Sequence, residues 1–249
     1  MLMSVVAHPY DFVDFAKLSG SRLLLTGLTS QSGFDLARAF ADHGAQLIVQ
    51  SPEDGPEMTE LAAVLAENAG AIKLFTTPLE TEEQAARLVQ AAVQDFGGID
   101  TVVNLVTIER AAVARLETLE DVEALVHEAL RLPLALTQVA ANRMRLVWTE
   151  GSILNVVRLP HLSGGPAMML ADVLRAELQE LTRGLAAQWA DQGIRINAIG
   201  PPSSMAVRDG RSGGSDADLA AIALRIASRK GRSVSGHVLD AEGAAQRGC

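Results

Sequence analysis

The residue pattern predicts one α/β domain, a doubly wound sheet of seven mostly parallel strands with helices on both faces. Two observations carry that expectation. Short β-rich runs alternate with longer helical patterns from residue 22 onward, the order expected of repeated βαβ units. Most of these runs are continuously apolar rather than alternating, as strands must be when helices cover both sides of a sheet. The 249 residues, 48% of them hydrophobic, supply enough apolar material for a core of this kind.

The elements follow in chain order. Arg22–Thr26 is the first expected strand and leads through a glycine-bearing turn into a helix over 33–43. Gln46–Gln50 and a helix over 57–69 come next, then Ile72–Thr76 and a helix over 81–96. The start of that helix, Glu80-Thr81-Glu82-Glu83, suits the positive end of a helix dipole. Thr101–Asn104 precedes a helix over 118–144 with Leu125, Leu132, Leu136 and Val139 along one side. Pro133 lacks a backbone N–H, so a kink is expected there, and Arg143 and Arg145 complement the dipole at the far end. Ser152–Val157 leads to a helix over 167–191. Its stripe of Leu170, Leu174, Leu178, Leu181 and Leu185 has helical spacing, widened by Met169, Val173 and Ala176. Ile194–Ile199, a helix over 216–228 and His237–Ala241 complete the order. Arg208–Asp216 is small, polar and glycine-rich and reads as a loop. Residues 1–16 form an N-terminal extension and 17–249 the domain. The helices over 118–144 and 167–191 are apolar around much of their circumference and need cover on two sides. The sheet supplies one side; core or a second subunit supplies the other, and the pattern favours neither.

Composition removes several function classes. Lys and Arg number 21 against 30 Asp and Glu, a net charge of −9, which argues against nucleic acid or an anionic membrane as partner. Cys249 is the one cysteine, so no internal disulfide and no thiolate metal cluster are expected, and a reducing cytoplasm fits. No run approaches the roughly 20 apolar residues that span a bilayer, and Met1–Ala16 lacks the basic start of a secretory signal. His8, His43, His127, His161 and His237 have no metal-ligand spacing, so no metal site is expected. His161 and Asp172 read as solvated or capping groups before catalytic ones. Ser163-Gly164-Gly165-Pro166 reads as a loop entering the next helix. The one tyrosine is Tyr10.

The turn after the first strand reads Thr26-Gly27-Leu28-Thr29-Ser30-Gln31-Ser32-Gly33. Glycines at such a turn let backbone approach a pyrophosphate seated on the helix N-terminus; two glycines alone also make a plain tight turn. Three later stretches add weight: Asp100-Thr-Val-Val-Asn104, Gly193-Ile-Arg195-Ile-Asn197-Ala198-Ile199-Gly200-Pro201 and Ser235-Gly236-His237-Val238-Leu239-Asp240-Ala241-Glu242-Gly243. Together, over about residues 17–244, the chain resembles the short-chain dehydrogenase/reductase family. The resemblance implies a Rossmann-like domain with three helices on each face.

The family's enzymes pair NAD(P) with a Ser-Tyr-Lys set and an Asn from the preceding long helix. Registered on Leu181-Thr182-Arg183 and Gly184-Leu185-Ala186, the tyrosine position falls on Ala171, the lysine on Arg175, the serine on Arg158 and the asparagine near Ala129. An alanine has no proton to exchange, so acid/base catalysis of the family's type is not expected. Of the family's cofactor residues, Thr26, Gly27, Gly33 and Asn104 remain as vestiges. The middle glycine is Gln31, whose side chain is expected in the phosphate path, and the ribose-binding acid after the second strand gives way to Ser51-Pro52. The adenine-capping Asp falls on Pro78, the N-N-A-G stretch on Asn104-Leu105-Val106-Thr107, and the P-G step on Pro201-Pro202. Halohydrin dehalogenases on this fold also carry arginine at the lysine position, yet they need the Ser and Tyr that are Arg158 and Ala171 here.

The resemblance therefore implies a non-catalytic member with no catalytic residue, no working cofactor site and no metal. NAD would reside in a catalytically intact partner, held through helices 118–144 and 167–191 in a hetero-oligomer. The tail near Cys249 would reach a neighbouring subunit's site. Two alternatives are a cofactor-independent enzyme built on Arg158, His161, Asp172 or Arg175, and a small-molecule sensor keeping a modified nucleotide pocket.

Overall fold

The computed structural model describes residues 18–160, 165–202, 214–228 and 231–240. Its seven strands are β1 (Arg22–Thr26), β2 (Gln46–Gln50), β3 (Ala71–Phe75), β4 (Thr101–Thr107), β5 (Ser152–Arg158), β6 (Arg195–Gly200) and β7 (Val238–Asp240). All neighbours pair in parallel, in the order β3-β2-β1-β4-β5-β6-β7. The chain winds outward from β1 to β3, then returns to β4 and winds the other way. Beyond the carboxyl ends of β1 and β4 the crossovers diverge, leaving the crevice where ligands bind in open α/β sheets.

The helices are α1 (Phe34–Ala41), α2 (Pro56–Ala66), α3 (Glu82–Phe96), α4 (Arg110–Val113), α5 (Leu119–Leu146), α6 (Gly165–Trp189) and α7 (Asp216–Ala227). Strand side chains alternate between two layers. Leu23 and Leu25 join Leu36 and Phe40 of α1, Met58 and Leu65 of α2, and Leu219 and Ile222 of α7. Leu24 points the other way, to Leu88 of α3, Leu136 and Ala140 of α5, and Leu185 of α6. Among the described residues three helices thus cover each face, as expected.

Local chemistry starts three of them. Thr81, Thr118 and Ser215 each accept from the backbone three residues on and are met by Gln84, Asp121 and Asp218 in turn, closing capping boxes on α3, α5 and α7. α5 runs on through Pro133.

Some boundaries differ from expectation. β4 continues to Thr107 and β5 to Arg158 because the two central strands pair from Thr101↔Ser152 to Thr107↔Arg158, each extending the other. β3 starts one residue earlier, on Ala71. The one-turn helix α4 was not foreseen, since four residues carry no readable period.

The retained Gly193–Asn197 stretch is structural. Arg195 Nη1 donates to the carbonyls of Ile226 (2.9 Å) and Gly231 (2.7 Å), tying the end of α7 to β6. Burial pulls this guanidinium's pKa below its usual value, with repulsion from Arg232 adding to it. Asn197 donates to Val234 O (2.9 Å) and accepts from His237 N (3.2 Å), holding the segment that enters β7.

Residues 1–16 (with Tyr10), His161, Ser163, Gly164, positions 208–213, and the end from Ala241 to Cys249 lie outside the described residues. Among the described residues, no helix is long and apolar enough to cross a membrane, and no group of three His, Cys, Asp or Glu is placed to hold a metal ion.

Candidate functional site

The crevice at the β1–β4 switch point is built from the turn after β1, the end of β4, the end of β5 and the start of α7. The turn comes first. Gly27 and Gly33 have φ of 80° and 91°, the left-handed region that a side chain resists. The backbone amides of Gly27, Leu28, Thr29, Ser30 and Ser32 are engaged within the chain. Gly27 N–H meets Gln50 Oε1 at 3.0 Å and Leu28 N–H meets Gln50 O at 3.1 Å. Thr29 and Ser32 exchange bonds of 3.0 and 3.3 Å across the turn. Ser30 N–H is held by the carboxylate of Glu53, Oε2 at 2.8 Å.

Glu53 was missed by sequence reasoning, which looked for an acid at Ser51-Pro52. The chain carries it two residues later: Ser51 Oγ accepts from Glu53 N–H at 2.9 Å, a local turn that aims the carboxylate back at the β1–α1 turn. Gln50 spans the other direction, its Nε2 donating to Thr77 O at 2.9 Å. Gln31 is exposed, and Glu53, Leu105 and Arg158 are also set against the turn.

Leu105 stands where the resemblance expects a second asparagine. Its Cδ2 lies 2.6 Å from the position a Cβ would take on Gly33, so a leucine side chain lies directly on the turn. Asn104 and Thr26 face inward. Thr26 Oγ1 donates to Asn104 Oδ1 (3.2 Å), Asn104 Nδ2 donates to Asn155 Oδ1 (2.8 Å), and Thr137 Oγ1 donates to the same Asn155 oxygen (3.2 Å). All four are buried, so these vestiges form a satisfied polar ladder between the central strands and α5.

Arg158 closes the picture at the serine position. It leaves the end of β5 and crosses to the turn, Nη1 donating to Ser32 Oγ at 2.9 Å and pairing with Asp216 Oδ1 at 2.5 Å. Thr107 Oγ1, from the end of β4, donates to the same Ser32 oxygen at 3.2 Å. This guanidinium is committed to the turn and to α7.

The other expected positions scatter. Arg175 turns toward β7, donating to Pro201 O (2.9 Å) and pairing with Asp240 Oδ1 (2.6 Å). Ala171 is fully buried on the inner side of α6, Ala129 is half-buried on α5, and Asp172 is exposed. Arg158 and Arg175 therefore serve separate ion pairs and do not converge on one centre.

Comparisons with known proteins agree with this architecture. Residues 27–210 match the family model described as Enoyl-(Acyl carrier protein) reductase. The chain is 31% identical to an uncharacterized oxidoreductase of Thermotoga maritima over 73% of this chain and 71% of that one. It is 28% identical to 2-dehydro-3-deoxy-D-gluconate 5-dehydrogenase of Bacillus subtilis over 92% of this chain and 96% of that one. An NADH-dependent reductase solved with NAD superposes with a TM-score of 0.72 at 24% identity, covering 91% and 96% of the two chains, a likeness of fold. Sheet order, retained turn and matched model together make this chain a member of the short-chain dehydrogenase/reductase family.

Proposed function

We propose that this chain is a non-catalytic subunit that scaffolds a catalytically intact, NAD-dependent relative in a hetero-oligomer. The family is one of oxidoreductases, and the relative in Bacillus subtilis is named as a dehydrogenase. The observation that carries the proposal is Ala171. In the family's register this fully buried methyl stands where the proton donor belongs, and the chain's one tyrosine, Tyr10, precedes the first strand. A methyl group moves no proton.

The residues present do not fit a dinucleotide. A phosphate on the β1–α1 turn would have to displace the Glu53 carboxylate from Ser30 N–H, the Leu105 side chain from Gly33 and the Arg158 guanidinium from Ser32. Placing phosphate beside the Glu53 carboxylate also sets like charges together. NAD and the Ser-Tyr-Lys set accordingly belong to the partner. The internal pairing of Arg158 and Arg175 removes the support for a cofactor-independent enzyme built on them.

The outer sides of α5 and α6 support the partner contact. Leu125, Leu132 and Val139 are half-buried in the single chain, and Met169 is exposed. Leu125 and Val139 pack in part against the chain's own core, so the apolar area offered to a subunit is centred on Leu132 and Met169. In its specific form the proposal is a cytoplasmic heterotetramer. There the chain would play the part that the inactive subunit plays in hydroxy(phenyl)methylsuccinyl-CoA dehydrogenase of anaerobic toluene degradation.

Coexpression with relatives that keep Ser, Tyr and Lys tests the proposal, with size-exclusion chromatography and NAD-linked activity as readouts. We expect a mixed oligomer whose activity is lost when the partner's tyrosine is replaced. Turnover by this chain alone, or a stable homo-oligomer that joins no intact relative, overturns it.

A further inference from the structure

Resting on the reading of this chain as a non-catalytic family member, we propose that Arg158 is an internal latch. It closes the switch-point crevice from within, so that the β1–α1 turn and α7 are held together with no dinucleotide bound.

The contacts join elements far apart in sequence. Arg158 ends β5, Thr107 ends β4, Ser32 lies in the turn before α1, and Asp216 opens α7. Ser32 Oγ receives both Arg158 Nη1 (2.9 Å) and Thr107 Oγ1 (3.2 Å), while the same guanidinium nitrogen reaches Asp216 Oδ1 at 2.5 Å. Four side chains thus run in an unbroken line over the crevice. A guanidinium suits the central place because it is always charged and presents several donors in a rigid fork. The Arg158 and Asp216 side chains are 29% and 25% exposed, so solvent screens this pair less than a pair on the open surface.

The pair is not needed to start α7. Ser215 and Asp218 already close a capping box there, and Asp216 in the first turn is favoured by the helix dipole without a partner. What Arg158 adds is attachment of that turn to the opposite wall of the crevice. From Leu219 onward α7 is held independently, since Leu219, Ile222 and Ala223 pack with Leu36, Ala37 and Phe40 of α1. With the first turn latched, α7 is fixed along its length.

The turn shows the same self-sufficiency. Its amides from Gly27 to Ser30, and that of Ser32, are met by Gln50, Glu53 and one another. In a dinucleotide-binding crevice such donors are left for the ligand, whose arrival then orders the walls. Here the groups that make the ordering contacts belong to the chain itself, so the shape offered to a partner is independent of the dinucleotide concentration.

Hydrogen exchange of the full-length chain, resolved to peptides spanning 27–33 and 216–222, tests the latch. Arg158→Met and Asp216→Asn are each expected to raise exchange about tenfold in both peptides. The double variant is expected to exchange no faster than the faster single. Arg131→Met, which removes the separate pair with Glu128, is the control expected to stay within twofold. Millimolar NAD is expected to leave the wild-type pattern unchanged. Should Arg158→Met not fold, Arg158→Lys, which keeps the charge and loses the fork, takes its place beside Asp216→Asn. Effects confined to the mutated side, effects that multiply in the double variant, or protection of 27–33 by NAD overturn the latch. These results leave the non-catalytic reading standing, whereas turnover by the wild-type chain alone overturns that reading and leaves the exchange coupling to be judged on its own.

Discussion

Gly27 lies so close to the neighbouring strand that a Cβ added to it would stand 2.0 Å from the carbonyl oxygen of Leu105. The retained glycine is therefore explained by the approach of the β1 turn to the β4 backbone, with no ligand involved.

Gly27→Ala combines that collision with a φ of 80°, so relaxation requires β1 and β4 to part at their ends. The expected loss is about 3 kcal/mol or more, in the range of strained-backbone and overpacking substitutions. Urea denaturation of the purified chain measures it, and an unchanged midpoint would refute the packing explanation.

At the opposite end of the sheet, Asp100 receives Arg22 N and Nε on Oδ2 (2.8 and 2.9 Å) and Nη2 on Oδ1 (2.6 Å). The Asp100 hydrogen bond raises the Arg22 pKa against the opposing effect of burial. The two side chains are 22% and 31% exposed, so some screening is retained. Asp100→Ala is expected to cost about 1–2 kcal/mol, with most of that appearing as coupling to Arg22 in a double-mutant cycle.

The buried ladder Thr26–Asn104–Asn155–Thr137 offers a larger penalty. Asn104→Leu removes the acceptor of the Thr26 hydroxyl, leaving it unmet inside the protein, and leaves Asn155 Oδ1 with the Thr137 hydroxyl alone. A loss of about 2–3 kcal/mol is expected. Thermal unfolding of this variant alongside an exposed Asn68→Ala control separates the effect from general tolerance.

Asp121 gives a pH prediction. The Thr118 hydroxyl, then the backbone amides of Thr118 and Glu117, hold this carboxyl below its usual pKa. A group depressed in the folded state contributes stability that is present above its unfolded pKa. That contribution is lost as pH falls from the ordinary carboxylate value, about 4, down through the lower folded one. Carboxyl carbon shifts should therefore titrate below the usual range, and Thr118→Val should raise the midpoint. A midpoint at the ordinary value in the wild type would contradict the capping box.

The tyrosine count, the glycine turn and the long leucine stripes were readable directly, because each depends on residue identity or on a period of two or 3.6. The β1 and β2 limits, Arg22–Thr26 and Gln46–Gln50, matched for the same reason: continuous apolar runs bounded by polar or turn residues. β4 and β5 ran longer than their own residues indicated, since pairing with each other carried them on.

What the residues determined by themselves was the doubly wound sheet and, through their motifs, the family. Tertiary structure alone decided the fates of the polar side chains. Arg158 meets Ser32 across 126 residues, Arg175 meets Asp240 across 65, and Glu53 returns 23 residues to Ser30. Local pattern encodes periodicity and burial, whereas a charged side chain settles on whichever partner the packed helices and strands bring within hydrogen-bond reach.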